Sequence, residues 1–369
     1  MKVAHVSQHY LPVIGGQEVY IDNLNRLLQA AGWTTEVYQP NRGIQRPDVV
    51  TVARIPGLPR LIYGADAYMF NAFLYLTKLG RLAEADVIIA HYAFSAWPLR
   101  RFAHRTIILS HGIEWRLENQ RFDDRLREKV ARRCLDEFFH VVNDTHYLRH
   151  FGYDISPASG FFTEVAPRKW FIPNCVDTAR FQRSEGLPEL KAHRTILVPR
   201  QIVRDRGIDL AIRAFKLLAD EDHDLVLHVL GKIRHDSYSQ LCLDLVRTLG
   251  LQGRVVFHDH IENGRMADYY SSARVTVIPT LRREGTSLSA LESMACGTAT
   301  VSTNVAGLRD LPTIQCDPEE HSLAQSIRST LAEEKQIGDR QALVVRNTFN
   351  FENWGKAWLK VITLVAETA

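Results

Sequence analysis

Four charged side chains carry the strongest chemical signal in this sequence: Arg200, Arg206, Glu284 and Glu292. Glu284 lies in a polar loop, Thr280 to Gly285, behind the apolar, β-branched run Val275 to Pro279. Thr286, Ser287 and Ser289 then bring hydroxyls to the start of an apolar-periodic stretch, Leu288, Leu291, Met294 and Ala295, with Glu292 inside it. The pattern predicts a strand, a loop and a short helix with Thr286 or Ser287 as N-cap. Gly297 is its stop, and a second strand runs over Thr298 to Thr303. A helix N-terminus presents unpaired N–H groups and the positive end of a dipole, so it favours an anion. Carboxylates beside it suit a hydroxyl-rich ligand, because each can accept paired hydrogen bonds from a vicinal diol. A phosphate flanked by diols is the chemistry of a nucleotide sugar. Taken alone, Glu284 also reads as a solvated loop charge and Glu292 as a complement to the helix dipole.

The arginines lie upstream. A predicted strand, Thr195 to Pro199, ends at Arg200, and Arg206-Gly207 precedes a predicted helix, Ile208 to Leu218. Two cations at a strand end and a helix entrance would neutralise a diphosphate; the alternative is ordinary surface basicity. Near the N-terminus, Gly15-Gly16 stands between the strand Lys2 to Ser7 and an amphipathic helix, Val19 to Ala31, with the next strand over Thr34 to Tyr38. Paired glycines let backbone approach a ligand closely, but this is not the GxGxxG fingerprint of a dinucleotide site. Two further predicted strands, Asp86 to Ala90 and Thr106 to Ser110, end at His91 and at His111-Gly112. Strand carboxyl ends are where an α/β domain keeps its ligands.

EGTSLSALE, continuing as SMACGTATVSTNVAGLRDL, resembles the signature of the family 4 retaining nucleotide-sugar glycosyltransferases. The chain departs from it at Thr286-Ser287, at Thr298-Ala299 and at Ala306-Gly307. The resemblance covers nearly the whole chain in order: Gly15-Gly16, His111-Gly112, an IPNGVD-like element at Ile172 to Asp177 with Cys175 in place of Gly, Arg200, and Arg206 where the family usually has Lys. It implies the GT-B fold, two Rossmann-like α/β domains facing a central cleft. Residues 1–178 would form the acceptor-side domain, 179–350 the donor-side domain, and 351–369 a helix packing back on the first. It implies a retaining, metal-independent transfer with no cofactor. The donor would be a UDP- or GDP-sugar, and the acceptor a glycan, a lipid-linked molecule or a small molecule, in cell-surface polysaccharide or glycolipid synthesis. His111, Arg200, Arg206 and Glu284 would be catalytic. Gly15, Gly16, Gly231, Ile261, Gly285, Thr286, Ser287, Leu288 and Glu292 would bind the donor nucleotide. Within that assignment Glu292 takes the ribose and Glu284 the transferred sugar; His111, rather than His91, lies beside that sugar. A GT-B phosphorylase and a non-catalytic nucleotide-sugar-binding subunit share the fold and are the competing readings.

Size and composition agree with two soluble domains: 369 residues with a formal charge of +3. That charge is too small to argue for nucleic acid. No apolar run reaches the roughly 18 residues of a membrane span, and the start lacks the apolar core of a signal peptide. Five scattered cysteines without a CxxC pair suggest neither a disulfide framework nor zinc. The expectation is a cytoplasmic protein. The aromatic stretch containing Tyr63, Tyr68, Phe70, Phe73 and Tyr75 reads as a core helix or as an acceptor surface. With the basic clusters at Arg100-Arg101, Arg105, Lys129, Arg132 and Arg133 it suggests peripheral association with the inner face of a membrane. The charged stretch Arg116 to Arg133 reads as a solvated helix, and the acidic run Asp220 to Asp224 as a solvated turn, since its DxD precedes a strand.

Overall fold

The computed structural model describes residues 1–12, 15–54, 65–234, 236–259 and 261–368. Tyr63, which the sequence drew into the aromatic stretch, lies outside them. The chain divides into two compact units. Met1–Pro173 with Glu352–Ala369 forms unit 1, and Asn174–Phe351 forms unit 2.

Unit 1 is built on eight strands: β1 (Lys2–Val6), β2 (Thr34–Pro40), β3 (Val49–Val52), β4 (Val87–His91), β5 (Thr106–Ser110), β6 (Phe139–Val142), β7 (Thr163–Ala166) and β8 (Lys169–Phe171). Their spatial order is β3-β2-β1-β4-β5-β6-β8-β7, parallel except for β7 against β8. β4 and β5 are buried at every residue, as strands covered on both faces must be. Helix α1 (Gly16–Ala30) follows β1, and Tyr20, Ile21, Leu24 and Leu28 form its buried stripe. Helix α2 (Ala65–Leu82) buries Phe70 and Leu74 but exposes Tyr75 and Leu76.

The charged stretch after residue 116 departs from its sequence reading. Its helix, α3, begins only at Phe122 and runs to Glu137. Asp124 delays the start, accepting the N–H groups of Arg116 (3.0 Å) and Arg121 (2.9 Å) with its two carboxylate oxygens. The helix is not merely solvated, because Val130, Ala131, Cys134 and Leu135 enter the core.

Unit 2 has six parallel strands: β9 (Arg194–Val198), β10 (Leu225–Leu230), β11 (Val255–His258), β12 (Val275–Ile278), β13 (Ala299–Thr303) and β14 (Ile314–Cys316). Their order is β11-β10-β9-β12-β13-β14. Helices α4 (Ile208–Ala219), α5 (Met266–Ser272) and α6 (Leu288–Ala295) lead from β9, into β12 and out of β12. Each unit thus contains the doubly wound order 3-2-1-4-5-6. Its topological switch point, where the chain reverses its direction of winding, opens a crevice at the strand carboxyl ends. In unit 1 that point lies between β1 and β4, in unit 2 between β9 and β12.

The last helix, α7 (Phe351–Thr368), belongs to unit 1 over nearly its whole length. Its Trp354 and Trp358, both fully buried, donate their indole N–H groups to the Tyr20 hydroxyl of α1 at 3.1 and 2.7 Å. A buried indole needs such an acceptor, and here one hydroxyl serves two. Among the described residues no helix is long and apolar enough to cross a membrane.

Candidate functional site

In unit 2 the sequence-selected charges converge. Arg200 stands two residues beyond β9, and only 7% of its surface is exposed. Its Nη2 donates to Glu284 Oε2 and to Thr280 Oγ1 (3.1 Å), and its Nη1 donates to Ser287 Oγ (3.2 Å). Arg206 Nη1 donates to the same Glu284 Oε2 and to the backbone oxygen of Arg283 (3.1 Å). Thr280 Oγ1 lies 3.3 Å from that carboxylate oxygen as well. Two guanidinium groups and a hydroxyl therefore share one oxygen. Burial lowers the pKa of Arg200 and Glu284 draws it back up, yet a guanidinium stays charged in any protein environment.

The local backbone explains the convergence. The turn at Arg204–Arg206 is fastened to the Thr280 loop by Leu281 N–H donating to Asp205 O (2.9 Å) and by Arg283 donating to Asp205 Oδ2 (2.9 Å). Gly207, with φ +66°, makes the approach possible: a Cβ there would lie 1.9 Å from the backbone oxygen of Pro279. At Gly231, beyond β10, a Cβ would lie 2.1 Å from the backbone oxygen of Arg200. Both positions need glycine because backbone meets backbone.

Ser287 is the N-cap residue of α6, but its hydroxyl makes no capping bond; it accepts from Arg200 instead. Thr286, the other expected cap, accepts from the N–H of Asn174 (2.7 Å), and Asn174 Nδ2 also donates to Thr286 O. Asn174 thus fastens the start of α6, whose amides are left without a side-chain cap. Gly285 and Leu288 flank these residues, half-buried. Glu292 sits apart from the arginines in its contacts: it is half-buried and accepts from the hydroxyl of buried Tyr270 at 2.8 Å. Burial pushes its carboxyl up to about 7, against the pull of Tyr270. Ile261 is half-buried before α5.

In unit 1, Gly15 is the N-cap of α1 and donates its N–H to Glu18 Oε2 (2.9 Å), while Gly16 is the first helical residue and exposed. His111 follows β5. Its ring meets His91 nearly coplanar (8°), with centroids 5.2 Å apart, and meets the ring edges of Tyr20 (5.3 Å) and Tyr92 (5.5 Å). Tyr92 holds φ 74° and ψ 149°, a region reserved almost wholly for glycine. That strained turn at the end of β4 lays its ring against His111.

Sequence reasoning missed Thr280, Tyr270 and Tyr20, because the Arg200, Glu292 and tryptophan partners of these hydroxyls lie more than 20 positions away and leave no local pattern. It set His91 below His111, although the two rings are hydrogen-bonded at 2.9 Å. The strand-end position of both was the available signal.

Residues 180–336 match the family described as glycosyl transferases group 1, and residues 14–152 match glycosyltransferase family 4. The chain is 34% identical over 355 residues to D-inositol 3-phosphate glycosyltransferase of Nocardiopsis dassonvillei, covering 83% of this chain and 79% of that one. It is 26% identical to the enzyme of the same name from Arthrobacter sp. (strain FB24), covering 83% and 80%. Among solved structures, sucrose-phosphate synthase from Thermosynechococcus elongatus superposes with TM-score 0.81 at 20% identity over the whole of both chains. Anabaena Alr3699/HepE in complex with UDP superposes with TM-score 0.76 at 15% identity, covering 99% and 100%. The fold is that of the GT-B glycosyltransferases.

Proposed function

The chain belongs to the family 4 glycosyltransferases, and from that premise we propose that it moves a sugar from a nucleotide diphosphate to a hydroxyl acceptor with retention of configuration and without a metal. The observation that carries this reading is the pair of arginines meeting on one carboxylate oxygen beside the start of α6. Two cations and uncapped helix amides form an anion site at a switch point, and a diphosphate fits its charge. Solved relatives of the fold hold UDP and UDP-glucose, so UDP is the first nucleotide to test and GDP the next.

In the proposed reaction the bond from the anomeric carbon to the diphosphate oxygen breaks, and its electron pair leaves with the phosphate. Arg200, Arg206 and the amides near Ser287 stabilise that charge, which is most of the catalysis. The acceptor oxygen bonds to the anomeric carbon from the face the phosphate leaves, and its proton passes to a departing phosphate oxygen. Glu284 holds the transferred sugar, Glu292 the ribose, and Gly231 and Ile261 the base side of the nucleotide. His111 meets the donor sugar, and Gly15 and Gly16 face the diphosphate and acceptor. Unit 1 serves the acceptor and unit 2 the donor.

Relatives named for inositol 3-phosphate put a phosphorylated polyol into the acceptor panel beside glycans and lipid-linked sugars. Exposed Tyr75 and Leu76 share a groove with Trp97, Arg100 and Arg101, which supports an acceptor held at an anionic membrane surface on the cytoplasmic side. Co-sedimentation with anionic vesicles at low salt tests that placement. Incubation with UDP- and GDP-sugars in excess EDTA tests the reaction: retained-configuration product, or slow donor hydrolysis, supports it. Phosphate-dependent sugar release, or no turnover with any donor, overturns it. Loss of activity on chelation, restored by manganese or magnesium, overturns metal independence.

A further inference from the structure

Behind His111 runs a line of three histidines drawn from three strand ends. His5 of β1 has Nδ1 3.2 Å from Nε2 of His91, and His91 Nδ1 lies 2.9 Å from Nε2 of His111. The ring planes are tilted by 32° at the first junction and 8° at the second. His5 and His91 are wholly buried, and His111 is half-buried at the open end. Neighbouring strands produce the line: β1 pairs with β4 and β4 with β5, so the three rings stand side by side at the switch point.

Each junction needs one N–H and one lone pair, so neutral rings joined in this way share a single polarity. If the protons point outward, every ring carries hydrogen on Nδ1. If they point inward, every ring carries hydrogen on Nε2. The closed end discriminates, because His5 Nε2 is buried with no hydrogen-bond partner among the described residues. Inward polarity would place an N–H there, and orphaned buried N–H groups are the rarer defect in folded proteins. We infer that His5 and His91 are positioning residues that hold His111 in one neutral tautomer, with its proton on Nδ1.

The same polarity stops the line from relaying a proton inward. The open edge of His111 already carries the N–H, and its single lone pair, on Nε2, accepts from His91, so nothing at that edge can take up a proton. His111 is therefore a fixed hydrogen-bond donor at its open edge and not a general base. Burial lowers His5 and His111 to about 3 and His91 well below its usual value, which keeps the rings neutral at physiological pH. Only the consequence for turnover rests on the reading above that His111 meets the donor sugar.

Full-length protein labelled with 15N-histidine, free of ligand at pH 7, tests the inference directly. Long-range nitrogen–proton correlations separate protonated from bare ring nitrogens. The His111 signals among the 15 histidines are identified by their absence in His111→Gln. The expected spectrum shows Nδ1 protonated and Nε2 bare. His91→Asn, whose amide can donate from nearly the place of Nδ1, keeps that tautomer; His91→Phe lets His111 populate both. A wild-type His111 protonated on Nε2 overturns the inference, as does an unchanged tautomer in folded His91→Phe. The wild-type spectrum is read without any His91 variant. Turnover should fall about 10-fold in His91→Phe, roughly one hydrogen bond, and recover in His91→Asn. Full turnover in folded His111→Gln would remove the sugar-facing role and leave the tautomer result standing.

Discussion

Between β1 and β4 the carboxyl ends of unit 1 carry a line of neutral imidazoles, His5, His91 and His111. Between β9 and β12 the corresponding ends of unit 2 carry Arg200, Arg206 and Glu284. The strand orders agree, so the topology chooses the same location twice. The side chains then give it opposite electrical character. Unit 1 desolvates ionisable rings until they are uncharged donors and acceptors. Unit 2 keeps formal charges by pairing them.

Acid should separate the two units most sharply. His5 and His91 are neutral in the folded chain, with pKa values depressed by burial, while the unfolded rings titrate near 6.5. The unfolded state therefore binds more protons below about pH 6.5, and stability falls as the pH drops through that value. At pH 5 the loss is about 2 kcal/mol for each fully buried histidine, about 4 kcal/mol for the two. Calorimetric scans from pH 7.5 to 5 should show an unfolding transition that His91→Phe makes less acid-sensitive. Equal acid sensitivity in wild type and folded variant would mean that the line is not what titrates.

Removing a cation breaks the other side of the comparison. Each charged hydrogen bond contributes on the order of 1.5–3 kcal/mol, so Arg200→Ala should weaken nucleoside diphosphate binding by roughly 10- to 150-fold. Arg206→Ala should fall at the low end, because its side chain is 33% exposed against 7% for Arg200 and water screens it. Isothermal titration with UDP and GDP reads both. Wild-type affinity in a folded double variant would mean that the diphosphate does not bind here.

How much of this was written in the sequence follows the same divide. Glu284 and Glu292 were legible because a strand, a loop and a helix N-terminus lie within one short run, from Val275 to Ala295, and Arg200 and Arg206 because they mark a strand end and a helix entrance upstream. The order 3-2-1-4-5-6 was not, since which strands pair depends on packing over the whole chain. The line behind His111 was hidden for the same reason: positions 5, 91 and 111 meet only through pairing of β1, β4 and β5. Strand β7 escaped because its residues stay half-buried or exposed and carry no apolar run. The helix Glu334–Thr348 escaped because polar and charged residues fill most of it and Leu343 and Val344 are exposed, leaving only Ile337, Ala342 and Val345 as apolar buried positions beyond Gly338. Ser287 was assigned to capping on local grounds, and the distant Arg200 claimed its hydroxyl.

Glu284 sharpens the contrast in the reverse direction. Its carboxylate occupies both arginines, as a diphosphate would. Glu284→Gln removes the competing charge, so diphosphate affinity should rise a few-fold, by about 1 kcal/mol. Turnover should fall nonetheless, because the contact to the transferred sugar is lost. Titration with the diphosphate alone, set beside steady-state rates with the full donor, distinguishes the two effects. A loss of diphosphate affinity in Glu284→Gln as severe as in Glu292→Gln would show that the two glutamates do not divide their roles this way.

The smallest effect expected is a pH dependence of nucleotide binding in unit 2. Glu292 has its pKa raised to about 7 by burial, with Tyr270 donating to it. A carboxyl raised above its unfolded value holds its proton longer in the folded chain, so its contribution to stability is lost as pH rises from about 4.5 to about 7. Binding works the other way. Ribose hydroxyls donate to the carboxylate and favour its ionised form, so nucleoside diphosphate affinity should rise a few-fold between pH 6 and 8 through this group. The terminal phosphate of the ligand also titrates, and it does so equally in Glu292→Gln. The difference between wild type and Glu292→Gln across that range therefore isolates the carboxylate. Parallel affinity curves for the two proteins would remove Glu292 from the ribose. Convergence of the curves toward pH 6 and separation toward pH 8 would place it there.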